Sequence, residues 1–215
     1  MDIFTQLVLT VGRIAPDHVV LLGTGFIVSA DGKVVTTHHV TGGDDRGLVV
    51  LAPHIRCLSD YQDVADNRCS TAAAKISEID PIRDICVLKC DLTYSGSGPP
   101  ELGSFDNDKV GDDLWIFGYP HCTEGRRVLT FQHAELGAKV LHSNNDVKSK
   151  HGVMNVQARP GQSGSPVFSP KSNKVSGILL GAWVPGQGIL LGNINPYELH
   201  QTTQCVSAEY VRDML

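Results

Sequence analysis

The stretch Gly23-Thr24-Gly25-Phe26-Ile27-Val28-Ser29-Ala30-Asp31-Gly32-Lys33-Val34-Val35-Thr36-Thr37-His38-His39-Val40 holds two apolar runs on either side of a four-residue polar break. Asp31-Gly32 supplies the positive φ that tight hairpins need, so the two runs pair as antiparallel strands. The second run stops at two histidines. A histidine just past a strand end is held by the sheet and open to a cleft, a position suited to a general base. With nine histidines in the chain, one such placement also arises by chance.

Working outward, short apolar runs punctuated by Gly (22 residues) and Pro (11 residues) fill the 215-residue chain, with no long helical pattern. Candidate strands are Gln6–Val11, Val19–Leu22, Gly25–Val28, Val34–Thr37, Gly47–Pro53, Ala74–Ile79 and Cys86–Lys89. Beyond these come Asp113–Phe117, Arg127–Gln132, Glu135–Val140, Val153–Ala158, Pro166–Phe168, Val175–Gly181 and Gly188–Gly192. So many short strands predict an all-β protein, as barrels or a sandwich. The polar, Gly/Pro-rich Asp91–Asp113 predicts a connection between two β-lobes, dividing the chain into 1–95, a connection 96–112, and 113–206. Residues 207–215, with Ser207 as a cap candidate and apolar residues at 210, 211, 214 and 215, predict a short closing helix.

Eighteen Lys+Arg against 23 Asp+Glu give a net charge of −5, and the longest basic run is the pair Arg126, Arg127. No phosphate-neutralising face is present, which argues against a nucleic-acid partner. No stretch approaches the roughly 18 apolar residues of a membrane span, and the first residues have neither a basic n-region nor a small-residue cleavage site. A soluble cytoplasmic protein is therefore predicted. Six cysteines, Cys57, Cys69, Cys86, Cys90, Cys122 and Cys205, show no dense extracellular framework and no C-x-x-C, so buried free thiols are predicted and neither metal nor cofactor is.

Two further stretches bear on chemistry. In Arg159-Pro160-Gly161-Gln162-Ser163-Gly164-Ser165-Pro166 a serine is flanked by glycines, which let backbone N–H groups turn toward a substrate carbonyl. An ordinary Gly/Ser turn fits equally well. In Asp80-Pro81-Ile82-Arg83-Asp84-Ile85-Cys86-Val87-Leu88 an acid heads an apolar strand, which also suits an acid that bonds nearby backbone.

Together these segments resemble the trypsin-like (chymotrypsin-fold) serine peptidases, nearest their bacterial HtrA-like branch. Gly23–Phe26 is similar to the family's G-x-G-F/V segment, Thr36–Val40 to its T-x-x-H-V segment, Asp84–Leu88 to its D-[ILV]-x-[VL]-L segment, and Gly161–Pro166 to its G-x-S-G-x-P segment. The resemblance implies a single peptidase domain over 1–215 of two six-stranded antiparallel β-barrels with a short C-terminal helix. It implies Ser163 as nucleophile, His39 as general base, Asp84 as the group fixing the imidazole, and an oxyanion pocket from the N–H groups of Gly161 and Ser163. His39 is preferred to His38 because the family's histidine stands three positions after the threonine, and Asp80 competes with Asp84 only weakly.

Departures from the family pattern also carry information. Gln162 stands where secreted members keep an acid that pairs with a newly cut N-terminus, so activation by that cut is not expected. Val40 and Arg159 occupy positions of the extracellular members' disulfides, which favours a reducing compartment. Ser165 replaces the commoner glycine. The substrate pocket falls to Gln157, Ala158, Leu190, Leu191 and Gly192; it lacks an acid, so an apolar or uncharged side chain is expected there. The chain ends too soon after Ser163 for the PDZ module of many HtrA-like proteins, so a regulatory partner or homo-oligomer is expected to restrain it.

An α/β-hydrolase reading fails twice: the fifth place of its G-x-S-x-G elbow is Ser165, and after Ser163 the acid should precede the histidine, whereas the only histidine there, His200, comes before the one plausible late acid, Asp213. The sequence therefore predicts a serine endopeptidase acting on proteins or peptides through an acyl-enzyme. The rival is a catalytically silent trypsin-fold module that binds peptide or protein.

Overall fold

The Asp31-Gly32 turn does join two antiparallel strands, β2 (Val19–Ile27) and β3 (Lys33–Thr37), paired at Phe26–Val35 and Ile27–Val34. Gly32 adopts a φ of 87°, and a Cβ there would lie 2.4 Å from the Leu92 carbonyl oxygen, so only glycine fits. The computed structural model describes residues 1–53, 55–96, 98–182 and 202–215.

β1 (Val8–Ile14), β2, β3, β4 (Leu48–Leu51), β5 (Thr71–Asp80) and β6 (Ile85–Cys90) close into one antiparallel barrel in the order β1-β2-β3-β6-β5-β4. The second sheet contains β7 (Glu101–Leu102), β8 (Asp113–Gly118), β9 (Thr130–Asn144), β10 (Val147–Met154), β11 (Pro166–Ser169), β12 (Lys174–Ala182) and β13 (Thr203–Ser207). Its order is β11-β8-β9-β10-β13-β12-β7, and a further β11–β12 pairing brings six of its strands round on themselves. The two-residue β7 adds a parallel edge beside β12. The expected all-β architecture is therefore observed, as a closed six-stranded barrel and a second, rolled sheet.

Several boundaries differ from the sequence reading. Val19–Leu22 and Gly25–Val28 are one strand, because Gly23 and Gly25 are demanded by close packing and not by a turn. A Cβ on Gly25 would meet Val34, the Val35 carbonyl and Val11 at 3.0 to 3.1 Å. Arg127–Gln132 and Glu135–Val140 likewise merge into β9. The strand read at Val153–Ala158 instead begins at Val147 and ends at Met154, set by a hairpin turn in which Asn145 and Asp146 both have positive φ. Asn and Asp tolerate that conformation, and the polar run around them concealed the strand. β13 and a short helix α1 (Phe4–Leu7) were missed. The closing helix is a 3-10 helix, Ala208–Met214, and Ser207 does not cap it; its hydroxyl donates to Ser104 Oγ. The strand read at Gly188–Gly192 lies outside the described residues.

Each sheet encloses an apolar cluster, Leu9, Val11, Val34, Val50 and Leu88 in the first and Phe105, Leu114, Ile116, Leu136 and Met154 in the second. A third cluster joins them. Phe4 stacks on Phe117 with ring centroids 3.9 Å apart and meets Phe168 edge-on, while Tyr119, 1% exposed, donates to the Val8 carbonyl. The candidate site forms beside this junction.

Candidate active site

At the end of β3 the chain turns directly into a one-turn helix, α2 (His38–Thr41), closed by Gly42 at a φ of 63°. This turn lifts His39 off the sheet and leaves its side chain 49% exposed. Asp84 ends the turn between β5 and β6 and has a φ of 59°, a conformation rare outside Gly, Asn and Asp. Its groups hold the histidine segment at three points. The Asp84 carbonyl accepts from His38 N–H at 3.1 Å, Oδ1 accepts from His39 N–H at 2.8 Å, and Oδ2 lies 2.5 Å from His39 Nδ1. A donating Nδ1–H leaves Nε2 as the ring's acceptor, the form a general base requires. Asp80 is committed elsewhere, paired with Arg83 at 2.6 Å, and His38 makes no contact with either carboxylate through its ring among the described residues.

Ser163 stands in the loop between β10 and β11, flanked by Gly161 (φ 90°) and Gly164 (φ 89°). Space as well as φ requires both glycines. A Cβ at 164 would lie 2.0 Å from the Thr24 carbonyl oxygen, and one at 161 would lie 2.6 Å from that of Tyr119. The loop is stitched to the first barrel by Thr24, which is fully buried. Thr24 N–H donates to the Ser163 carbonyl (2.9 Å), its hydroxyl donates to the Gly161 carbonyl (2.8 Å), and that same oxygen accepts from Tyr119 N–H (3.1 Å). Among the described residues the N–H groups of Gly161 and Ser163 donate to nothing, as a pocket for a developing oxyanion needs.

The Ser163 hydroxyl donates to the Leu180 carbonyl at 2.8 Å, and it makes no hydrogen bond to His39 among the described residues. His39 and Asp84 are thus in contact, while Ser163 is positioned beside them through backbone. Gly23 is the shared neighbour: a Cβ there would lie 2.6 Å from Val40, next to His39, and 3.1 Å from the Ser163 carbonyl oxygen.

Gln162 is buried, accepts from Arg159 N–H and donates to Gln132, so its amide makes neutral bonds in the place of a carboxylate. Ser165 fits because Gly118 opposes it: a Cβ on Gly118 would lie 2.0 Å from Ser165 Oγ, a buried hydroxyl without a partner among the described residues. Gln157 and Ala158 lie half-buried in the loop before Ser163, whereas Leu190, Leu191 and Gly192 fall outside the described residues. Sequence reasoning missed the roles of Thr24 and Leu180. Thr24 lay inside a quoted motif, but nothing in a strand pattern marks a side chain that bonds 137 residues away.

Two β-sheet lobes with a histidine–carboxylate pair and a glycine-flanked serine at their junction define the trypsin-like class. The family model of the trypsin-like peptidase domain matches residues 23–178, and the chain belongs to that family. A "Probable periplasmic serine endoprotease DegP-like" of Ectopseudomonas mendocina (strain ymp) is 31% identical over 160 residues, covering 72% of this chain and 28% of the relative. A protein of the same name from Pseudomonas putida (strain F1) is 29% identical over 161 residues, covering 72% and 28%. The chain thus spans little more than a quarter of the curated relatives' length. Among solved structures, an inactive form of Rv3671c from M. tuberculosis H37Rv superposes with a TM-score of 0.67 at 19% identity, covering 99% of this chain and 86% of that one. The HtrA-type protease AlgW with a decapeptide superposes with a TM-score of 0.67 at 18% identity, covering 97% and 63%.

These relatives correct the expectation of a cytoplasmic protein, since their names place them in the periplasm. That expectation rested on the missing leader pattern in the first residues and, second, on the lack of disulfides, neither of which discriminates here. All six cysteines are free, four of them buried. Burial pushes the thiols of Cys86 up to about 11 and of Cys90 and Cys122 up to about 12, so they behave as small apolar side chains. Two barrels with a shared apolar junction supply a core that needs no covalent bridge.

Proposed function

We propose that this chain is a serine endopeptidase in which Ser163 attacks the peptide carbonyl, His39 takes its proton, and Asp84 holds and stabilises the imidazolium. The reading rests on one observation above the others: a carboxylate that binds both the ring and the backbone N–H of His39, at a junction where, among the described residues, the N–H groups of Gly161 and Ser163 donate to nothing. Attack forms the bond from Ser163 Oγ to the carbonyl carbon, and the N–H groups of Gly161 and Ser163 receive the oxyanion. The imidazolium then gives its proton to the departing amine, leaving an acyl-enzyme that water hydrolyses by the reverse roles.

The hydroxyl resting on the Leu180 carbonyl supports a gated enzyme. Rotation about the Ser163 Cα–Cβ bond breaks that one hydrogen bond, worth about 1 kcal/mol, before attack. A regulatory partner or homo-oligomer that reshapes the 155–165 loop would control the step. Polypeptide in the periplasm is the substrate class that the relatives' names, periplasmic serine endoproteases, favour, with an apolar or uncharged residue before the cleaved bond.

Labelling with a fluorophosphonate followed by peptide mapping tests the assignment. Modification is expected at Ser163, lost in His39→Ala and kept in His38→Ala. A chain that binds peptide yet resists the label under every condition of partner and concentration would instead be the silent binding module.

A further inference from the structure

The turn that carries Asp84 is gripped from outside its own barrel. It spans residues 81–84, between β5 and β6, and Asp84 holds a φ of 59°. A left-handed aspartate persists only where the surrounding contacts over-determine it. Within the turn Asp80 supplies some of them. Its Oδ1 accepts from the N–H groups of Ile82 (3.0 Å) and Arg83 (3.1 Å), and its Oδ2 accepts from Arg83 Nη1 (2.6 Å).

Further contacts come from the second sheet. The guanidinium carbon of Arg83 lies over the Tyr210 ring, 4.2 Å from its centroid, in the closing 3-10 helix. The Asn144 amide, at the end of β9, donates to the Ile82 carbonyl at 3.0 Å. Tyr210 is itself fastened to β10: its hydroxyl accepts from Lys150 N–H (2.9 Å), while Lys150 Nζ pairs with Glu209 (3.2 Å) and with Asp106. An ion pair in open solvent contributes little, but the side chains of Arg83 and Asp80 are only 24% and 18% exposed. A planar cation held by a carboxylate at its edge and a ring at its face is fixed in two directions at once.

The two ends of this chain of contacts reach the two halves of the site. β10 leads directly into the 155–165 loop that carries Ser163, and the same strand anchors the ring on which Arg83 rests. Arg83 is the residue before Asp84, whose carboxylate and carbonyl hold the N–H groups of His39 and His38. We propose that Arg83, through its contact with Tyr210, is a positioning residue: it fixes the Asp84 turn against the strand that leads to Ser163, so that acid, base and nucleophile share one frame. The proposal rests on the peptidase reading above and adds to it a residue that acts through Asp84 without touching substrate.

The test combines amide hydrogen exchange with turnover. The N–H groups of His38 and His39 are bonded to Asp84, so their exchange relative to that of Val87 within β6 reports the grip of the turn without any catalysis. In Arg83→Met and in Tyr210→Leu that ratio is expected to rise about tenfold, and kcat to fall about tenfold or more with KM within about twofold of native. Tyr210→Phe keeps the ring face and is expected to keep both values, while Arg83→Lys, which keeps the charge without the plane, should fall between. The double variant Arg83→Met/Tyr210→Leu is expected to be no worse than Arg83→Met alone, because both changes remove the same contact. Leu114→Ala, in the core of the second sheet, is the control: it should lower the denaturant midpoint and leave the exchange ratio and kcat near native values. Unchanged exchange in both single variants, additive losses in the double variant, or an equal loss of kcat in Leu114→Ala overturns the proposal. A protein that neither takes the fluorophosphonate nor hydrolyses peptide, yet shows the exchange response, would overturn the peptidase reading while upholding the Arg83 contact as the holder of the turn.

Discussion

Asp84 carries two demands at once, a left-handed backbone and a carboxylate aimed at His39. Asparagine tolerates the same φ, so Asp84→Asn is expected to fold normally while losing the charge that stabilises an imidazolium. A fall of about ten-thousand-fold in the rate of Ser163 labelling, with the unfolding midpoint nearly unchanged, is the expected outcome. Thr24 offers the complementary case. Thr24→Val leaves the Tyr119 N–H and the Gly161 carbonyl without the bonds made by the hydroxyl, a cost of about 3 kcal/mol in a buried setting. Denaturant titration checks the stability, and kcat is expected to fall more than KM rises, because the loop carrying the proposed oxyanion donors loosens; Thr24→Ser should restore both. The serine, histidine and acid were legible as residue types in order. The Thr24 bonds were not, because they join segments far apart in sequence.

At the scale of elements, β10 carries a buried histidine whose protonation is coupled to folding. His151 is 4% exposed, accepts from Gln204 Nε2 at 3.1 Å and lies beside Ser149. Burial, and to a lesser extent His142 with its ring centroid 5.4 Å away, lowers its pKa from 6.5 to about 4. Between pH 6.5 and 4 the unfolded chain takes up a proton that the folded one refuses, so stability falls as pH drops through that window and is level above it. The loss is of the order of 2 kcal/mol. Denaturant midpoints measured across this range should fall in the native protein and flatten in His151→Gln. The elements themselves were partly legible. The hairpin at the Asp31-Gly32 turn and the alternating apolar runs declared themselves, whereas β10 opens in the largely polar run Val147–Lys150 and is a strand only because β9 and β13 pair with it on both edges.

For the molecule as a whole, the junction between the two sheets decides whether a site exists. Phe4, from a helix before the first strand, fills the space between Phe117 and Phe168. Phe4→Ala should cost about 3 to 5 kcal/mol and slow Ser163 labelling, because the barrels carrying His39 and Ser163 lose a shared contact. Thermal unfolding and labelling rate, measured on one preparation, check both. A lowered melting temperature with an unchanged labelling rate would show that the junction contributes stability without alignment.

By itself the sequence determined the β architecture, the order of the three candidate residues and the glycines around Ser163, because hairpin turns, strand periodicity and close backbone approach are local constraints. The cytoplasmic compartment, inferred from the first residues and from missing disulfides, was corrected by the periplasmic relatives, since free thiols report the size of the core as much as the redox setting. Only the tertiary structure decided that Asp84 grips His39 at both ring and backbone and that the Ser163 hydroxyl rests on Leu180. Those facts depend on which distant strands meet, and a hydrogen bond across a hundred residues leaves no periodicity in the chain that forms it.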